Sequence, residues 1–320
     1  MTNLTAPRFT DADAAREHLE ALRWPQGPVC PRCGSVDAKR LPDQRGKPSK
    51  RHPEGAVRKG VIQCNGCRQQ FTVTVGTVFE DSKVPLNKWL LANHLMVASK
   101  KGISAHQLHR MLGVTYKTAW FMAHRIREAM TSTDDTPMGG NGGDVEVDET
   151  YIGRVPGASR TPIHNMNKVI SLVDRTTGRA TSVVFTGHFT ADTVGAILND
   201  RVATDTRLLT DEARFYKLPG KAFTGGHETV NHRVGEYVRK GDRAIHTNTI
   251  EGFFGIFKRG MRGIYQHCGS QHLQRYLAEF DFRYSNRVAL GINDEQRADL
   301  SLKGIAGKRL TYRRIGAVAA

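Results

Sequence analysis

Asp144-Val145-Glu146-Val147-Asp148-Glu149-Thr150-Tyr151-Ile152 alternates apolar and polar residues, the period of a strand with one buried face. Asp144, Glu146 and Asp148 fall on the same side of it. Three carboxylates in a row repel one another, and their presence in a chain of net charge +16 is unexpected. A bound cation is the simplest relief.

Two more strand-like runs follow, Val169–Val173 and Ala180–Phe185, joined by the turn Asp174-Arg-Thr-Thr-Gly178. The three runs predict an antiparallel set. Thr190 to Val202 reads as a helix with Thr190 or Asp192 near its start. Arg207-Leu-Leu-Thr-Asp211-Glu212 is then an apolar strand ending on an acid, which places a carboxylate at the tip of a buried sheet, where open α/β sheets hold their sites. In His246–Arg262, Ile250, Phe253, Phe254, Phe257 and Met261 form an apolar helical stripe. Glu251 and Lys258 lie seven positions apart, almost two turns, and point the same way. An acid and an amine on one face suit a metal-bound phosphodiester. Asn248-Thr-Ile-Glu251 also reads as a capping box with Asn248 as N-cap, and taken alone the motif favours that cap.

Upstream, Cys30-x-x-Cys33 and Cys64-x-x-Cys67 sit in the knuckle-like contexts CPRCGS and CNGCRQQF. Two such turns bring four thiolates to one tetrahedral Zn²⁺ and leave no water position, so the site is structural. The alternative is a redox pair or four unrelated thiols. The basic insert DQRGKPSKRHPEGAVRKG between the pairs is a solvated loop or a phosphate contact, and Gln70–Val75 alternates as a strand. Cys268 has no partner in the pattern. Ile103–Met130 reads as two short helices about Gly113, with Thr115 as an N-cap. Ile103, Leu108, Met111 and Leu112 mark the inner face of the first; Ala119, Met122, Ala123, Ile126 and Met130 mark that of the second. This is a helix-turn-helix-like pattern, in which Tyr116, Lys117, His124, Arg125 and Arg127 are candidates to face DNA.

The +16 charge and pI near 9.9 are spread along the chain, as expected of a protein that meets nucleic acid. No stretch approaches the roughly 20 apolar residues of a membrane span, and the first residues lack a signal peptide's pattern, so a cytoplasmic, nucleoid-associated protein is expected. The expected organisation is an N-terminal helix and zinc ribbon over 1–85, a helical DNA-binding segment over 86–132, a catalytic domain over 143–290, and a basic tail over 291–320. The polar, Gly-rich 131–143 reads as a linker.

Strand acid, strand acid and helix acid in a β-β-β-α-β-α order resemble the ribonuclease-H-like fold: a mixed α/β sheet with flanking helices. The chain resembles the DDE-type insertion-sequence transposases, in the subgroup with an N-terminal zinc ribbon. The motifs that carry this are CPRCGS with CNGCRQQF, FTVTVGTVFEDSKVPLNKWLLANHLM, VEVDETYIG, LLTDEARFY, HTNTIEGFFGIFKRGMRGIYQH and HLQRYLAEFDFRYSNR, which span residues 24 to 287. RVPGASRTPIHNMNKV after VDETYIG departs from the subgroup's Gly- and Lys-rich loop.

The resemblance implies that Asp148 and Asp211 are the first two ligands of Mg²⁺ or Mn²⁺. In such transposases the third is Glu or Asn, and both Asn248 and Glu251 occupy the motif; Glu251 is preferred because Lys258 then falls at the expected seventh position. It further implies DNA cleavage and strand transfer with Lys258 on phosphate, partners in the element's terminal inverted repeats and target DNA, and a homo-oligomer that holds two ends. The rivals are a catalytically silent zinc-ribbon regulator and a nuclease that cuts without joining.

Overall fold

Residues 3–50, 53–155 and 165–311 are described by a computed structural model. The chain forms two units: Met1–Ala98 with Ala105–Met130 and Asp294–Ala320, and Ser99–Ser104 with Thr131–Asn293.

In the first unit, α1 (Pro7–Thr10) leads into α2 (Ala12–Arg23), which Asp11 caps by accepting from Ala14 N at 2.8 Å. The ribbon has short strands β1 (Ala38–Arg40), β2 (Gln44–Arg45), β3 (Val57–Arg58), β4 (Ile62–Cys64) and β5 (Gln70–Phe71); β1-β4-β5 make one small sheet and β2-β3 close the insert as a hairpin. The strand expected over Gln70–Val75 stops after two residues, because the chain turns, with Val75 N donating to Thr72 O at 3.1 Å. Phe71 and Val73 are buried all the same, so the alternation marked inward-facing residues and not an extended ladder.

Three helices follow: α3 (Leu86–Ala98), α4 (Ala105–Leu112) and α5 (Tyr116–Met130). Gly113 makes the turn at φ +60°, which costs a residue without Cβ little, and Thr115 Oγ1 accepts from Thr118 N at 3.2 Å as an N-cap should. The expected inner residues of α5 are buried. Ile103, just before α4, and Leu108 and Leu112 on it are buried, but Met111 is 49% exposed, a correction to the expected stripe.

The boundary expected at residue 85 and the separate tail from 291 are not divisions of this unit. A helix at Asp294–Lys303 packs on α3, where Asn93 Nδ2 donates to Ala298 O at 3.0 Å and Ser301 Oγ to Asn93 Oδ1 at 2.7 Å.

The second unit is built on five strands. β6 (Asp144–Ile152), β7 (Asn167–Asp174) and β8 (Ala180–Phe185) form the antiparallel set, with Gly178 closing the turn onto Asp174 O. After α6 (Ala191–Arg201), β9 (Arg207–Asp211) returns beside β6 in parallel; α7 (Arg214–Gly220) and a short edge strand β10 (His227–Val230) complete the order β10-β9-β6-β7-β8. This mixed sheet with flanking helices is the ribonuclease-H-like α/β fold. β7 is buried along its whole length, because helices cover both faces. One cover is α8 (Asn248–Gly260) with α9 (Leu273–Ser285), through Ile250, Phe253, Phe257, Leu277 and Phe280. The other is α6 with α7, through Val194, Leu198 and Tyr216. The final helix, α10, is Asp294–Lys303 of the first unit.

The expected linker 131–143 is partly docked: Met138 is buried and exchanges bonds with Arg201 O (2.7 Å) and Ala203 N (2.9 Å). Most of the loop after β6, 156–164, lies outside the described residues.

Candidate active site

β6 and β9 pair only from Asp144↔Arg207 to Glu146↔Leu209, and beyond that register they part. The gap opens at the carboxyl end of both strands, the end at which such sheets bind ligands. Asp148 and Glu149 border it from β6 and Asp211 from the end of β9, and one carboxylate oxygen of each lies within 4.8 Å of the others. Asp148 accepts from Glu149 N at 2.8 Å and Asp211 from Ala213 N at 3.0 Å. Burial, and then the charges of Glu149, Asp211 and Glu251, push the Asp148 carboxyl up to about 8. Burial and Asp211 push Glu149 up to about 7, and Asp211 is raised chiefly by burial. Tyr216, wholly buried, donates to Glu149 Oε2 at 3.0 Å.

Oxygen-only donors crowded enough to retain protons fit a hard divalent cation such as Mg²⁺ or Mn²⁺. Asp148 and Asp211 are therefore brought together, joined by Glu149, which the sequence reading passed over. Its position on the opposite strand face from Asp148 gave no warning that a long side chain at a splayed strand end reaches the same crevice.

Glu251 stands in the first turn of α8, outside that tight group but close enough to raise Asp148. Its carboxylate accepts from Thr247 Oγ1 at 3.2 Å and lies 3.3 Å from His232 Nε2. The capping box is absent: the N-cap is Thr247, its side chain makes no capping bond, and Asn248 is the exposed first residue of the helix. Lys258 lies over the Phe254 ring, 5.8 Å from its centroid.

The rest of the acidic strand face has a different partner from the expected cation. Arg207 grips Asp144 through two bonds of 2.7 Å. Arg175 donates to Glu146 Oε1 at 2.5 Å, to Ala244 O at 2.5 Å and to His246 O at 2.8 Å. The fully buried Glu146 uses its other oxygen to accept from Ile250 N at 2.8 Å, an anion at the positive end of α8. The repulsion at Asp144 and Glu146 is thus relieved by guanidinium groups, and only Asp148 is left to the crevice. In the sequence Arg175 is one residue of a turn, with no signal of this duty.

In the ribbon, the sulfurs of Cys30, Cys33, Cys64 and Cys67 all lie within 4.8 Å of one another. Cys30–Cys67 and Cys33–Cys64 are 3.8 and 3.5 Å apart. A tetrahedron with arms of about 2.3 Å has edges of about 3.8 Å, so the set fits Zn²⁺. Cys67 N donates to Cys64 Sγ and helps hold that thiol down to about 7. Cys268 lies far along the chain in the second unit, packed beside its core.

Of the five residues proposed to face DNA, Tyr116 and Lys117 are exposed. His124, Arg125 and Arg127 are buried, a correction. Arg125 donates to Glu80 O at 2.5 Å and stacks on Trp89 and Phe121, because α5 is packed against α3, α4 and α10 at once.

Residues 141–285 match the family model for an ISXO2-like transposase domain, and residues 10–70 that for a transposase zinc-ribbon domain. A curated relative from Halobacterium salinarum, described as an uncharacterized protein in transposable element ISH50, is 29% identical over 297 residues, covering 86% of this chain and 91% of the relative. Among solved structures, a chain of the simian T-cell lymphotropic virus intasome in complex with PP2A regulatory subunit B56 gamma matches with TM-score 0.28 and 14% identity. That match covers 54% of this chain and 63% of that one, and at such a score it carries no argument. The two matches follow one another along the chain, which therefore carries a transposase zinc-ribbon domain and, after it, an ISXO2-like transposase domain.

Proposed function

We propose that this chain binds the terminal inverted repeats of its element, cuts DNA there, and joins the freed 3′ end to target DNA. The observation that carries the reading is the convergence of Asp148 and Asp211 at the open carboxyl end of the sheet, with Glu251 near enough on α8 for its charge to be felt. Asp148, Asp211 and Glu251 would hold Mg²⁺ or Mn²⁺, which supplies stabilisation of the attacking and leaving oxygens of an in-line phosphoryl transfer.

The chain's own residues do the positioning. Glu146 and Arg175 tie the first turn of α8 to β6 and β7, which sets Glu251 relative to Asp148. Thr247 and His232 orient the Glu251 carboxylate. Lys258 supplies a cation for phosphate from the Glu251 face of α8, its ammonium standing over the Phe254 ring. Asn248, exposed beside Glu251, is placed to contact the DNA backbone. The cysteine cluster folds the ribbon around Zn²⁺, and the ribbon with the exposed Tyr116 and Lys117 selects the element's ends. Two ends must be joined, so an assembly of at least two copies acts, on the nucleoid. Among the described residues no helix is long and apolar enough to cross a membrane.

The test is a labelled duplex carrying the element's end, incubated in Mn²⁺ with wild type, Asp148→Asn and Asp211→Asn. Wild type should cleave, while both variants should shift the duplex as wild type does and cut at least a thousandfold more slowly. Undiminished cutting by either variant would remove the metal-site assignment. A shift without any cutting by wild type would point to a silent regulator.

A further inference from the structure

We infer that Glu149 is a further ligand of the divalent cation in this crevice, locked into place by Tyr216; the inference rests on the metal-site reading above. Neighbouring residues of a strand point to opposite faces, so Asp148 and Glu149 ordinarily cannot share a ligand. Here they do, because β6 has lost its parallel partner: pairing with β9 ends at Glu146↔Leu209. The longer Glu149 side chain reaches through the gap until one oxygen lies within 4.8 Å of those of Asp148 and Asp211.

Its other oxygen is held. Tyr216, on α7 and without solvent exposure, donates to Glu149 Oε2 at 3.0 Å. This is how a ligating carboxylate is commonly oriented: one oxygen tied back by a buried donor, the other free to bind. A glutamine would accept the tyrosine hydrogen bond equally well and would spare the protein a negative charge beside two others. The charge therefore has a use besides packing. Glu251, by contrast, is occupied by Thr247 and His232 and lies outside the close group. Glu149 thus completes the strand side of the centre with Asp148 and Asp211, and Glu251 closes it from the helix.

The test is Mn²⁺ binding, read by isothermal titration and by the electron paramagnetic resonance spectrum of the bound ion, on the zinc-loaded full chain. Glu149→Gln should raise the Kd for Mn²⁺ by at least the roughly 10- to 100-fold that losing a ligand's supporting partner costs, and change the spectrum of what remains bound. Its metal-free thermal midpoint should equal or exceed that of wild type, which establishes folding. Tyr216→Phe keeps the charge and only unlocks it, so it should raise the Kd several-fold. Asp148→Asn separates the two readings. Loss of Mn²⁺ binding in Asp148→Asn beside an unchanged Kd and spectrum in Glu149→Gln would overturn this inference alone. Unchanged binding in both would overturn the metal site with it.

Discussion

Arg175→Met removes a guanidinium that no motif pointed to, and its cost follows from the bonds it makes. Arg175 is 17% exposed at its side chain and Glu146 is 0% exposed, so their pair is withdrawn from water. Arg175 also donates to Ala244 O and His246 O, the stretch that leads into α8. Deleting one partner of a buried pair leaves an uncompensated charge and costs about 3–5 kcal/mol. For a unit of this size each kcal/mol lowers the midpoint by roughly 2–4 °C, so the second unit should melt on the order of 10 °C below wild type. Differential scanning calorimetry of the full chain measures this. Glu146→Gln added to Arg175→Met removes the stranded charge but keeps an acceptor for Ile250 N, and should recover about half of the loss. DNA cleavage by the single variant should fall in parallel, because α8 carries Glu251. A single variant melting within about 2 °C of wild type, or a double variant no more stable than the single, would refute the argument that this pair anchors α8.

Without added metal, Asp148 at about 8 and Glu149 at about 7 lie above their ordinary values, so the folded state keeps protons that the unfolded state releases. Stability should therefore fall as pH rises from about 4 through 8, and Mn²⁺ should raise the midpoint more at pH 9 than at pH 6; a metal-free midpoint that climbs over this range contradicts the crowding. Cys64→Ser, or zinc chelation, should unfold the ribbon and weaken end binding at least tenfold, because ligand energy is folding energy in such modules; metal analysis that finds no zinc in purified protein would remove this claim. Glu251→Gln should lower cleavage by orders of magnitude with little change in midpoint, while Asn248→Ser stays substantially active. The reverse pattern would move the third ligand to Asn248.

The sheet's first three strands, the end of β9 and the apolar stripe of α8 are legible in the sequence because each is long enough for its period to show. The four cysteines are legible because spacing is itself the geometry of the site. β10, His227–Val230, is not: four mostly polar residues at a sheet edge leave no periodic trace. The helix at Asp294–Lys303 escapes for a related reason, since it buries Arg297 and Ser301 as well as Ala298 and Leu302, and polar residues carry much of its inner face. Arg125 and Arg127 look like surface residues by type, yet both are buried, and Arg125 is retained by stacking on Trp89 and by the Glu80 carbonyl. In the site, Asp148 and Asp211 follow from strand register, whereas Glu149 depends on two strands parting and Arg175 on a turn folding back over β6. Both are consequences of tertiary geometry that local pattern does not encode.

The central claim is joining, and one measurement tests it. Purified full chain, Mn²⁺ and a duplex of the element's terminal repeat with a labelled, pre-cleaved 3′-OH end are incubated with a supercoiled plasmid. The account predicts label covalently transferred to the plasmid, dependent on the metal and absent with Asp148→Asn or Asp211→Asn. Label that never leaves the duplex, while the same protein binds and nicks it in Mn²⁺, would contradict the account and make the chain a nuclease.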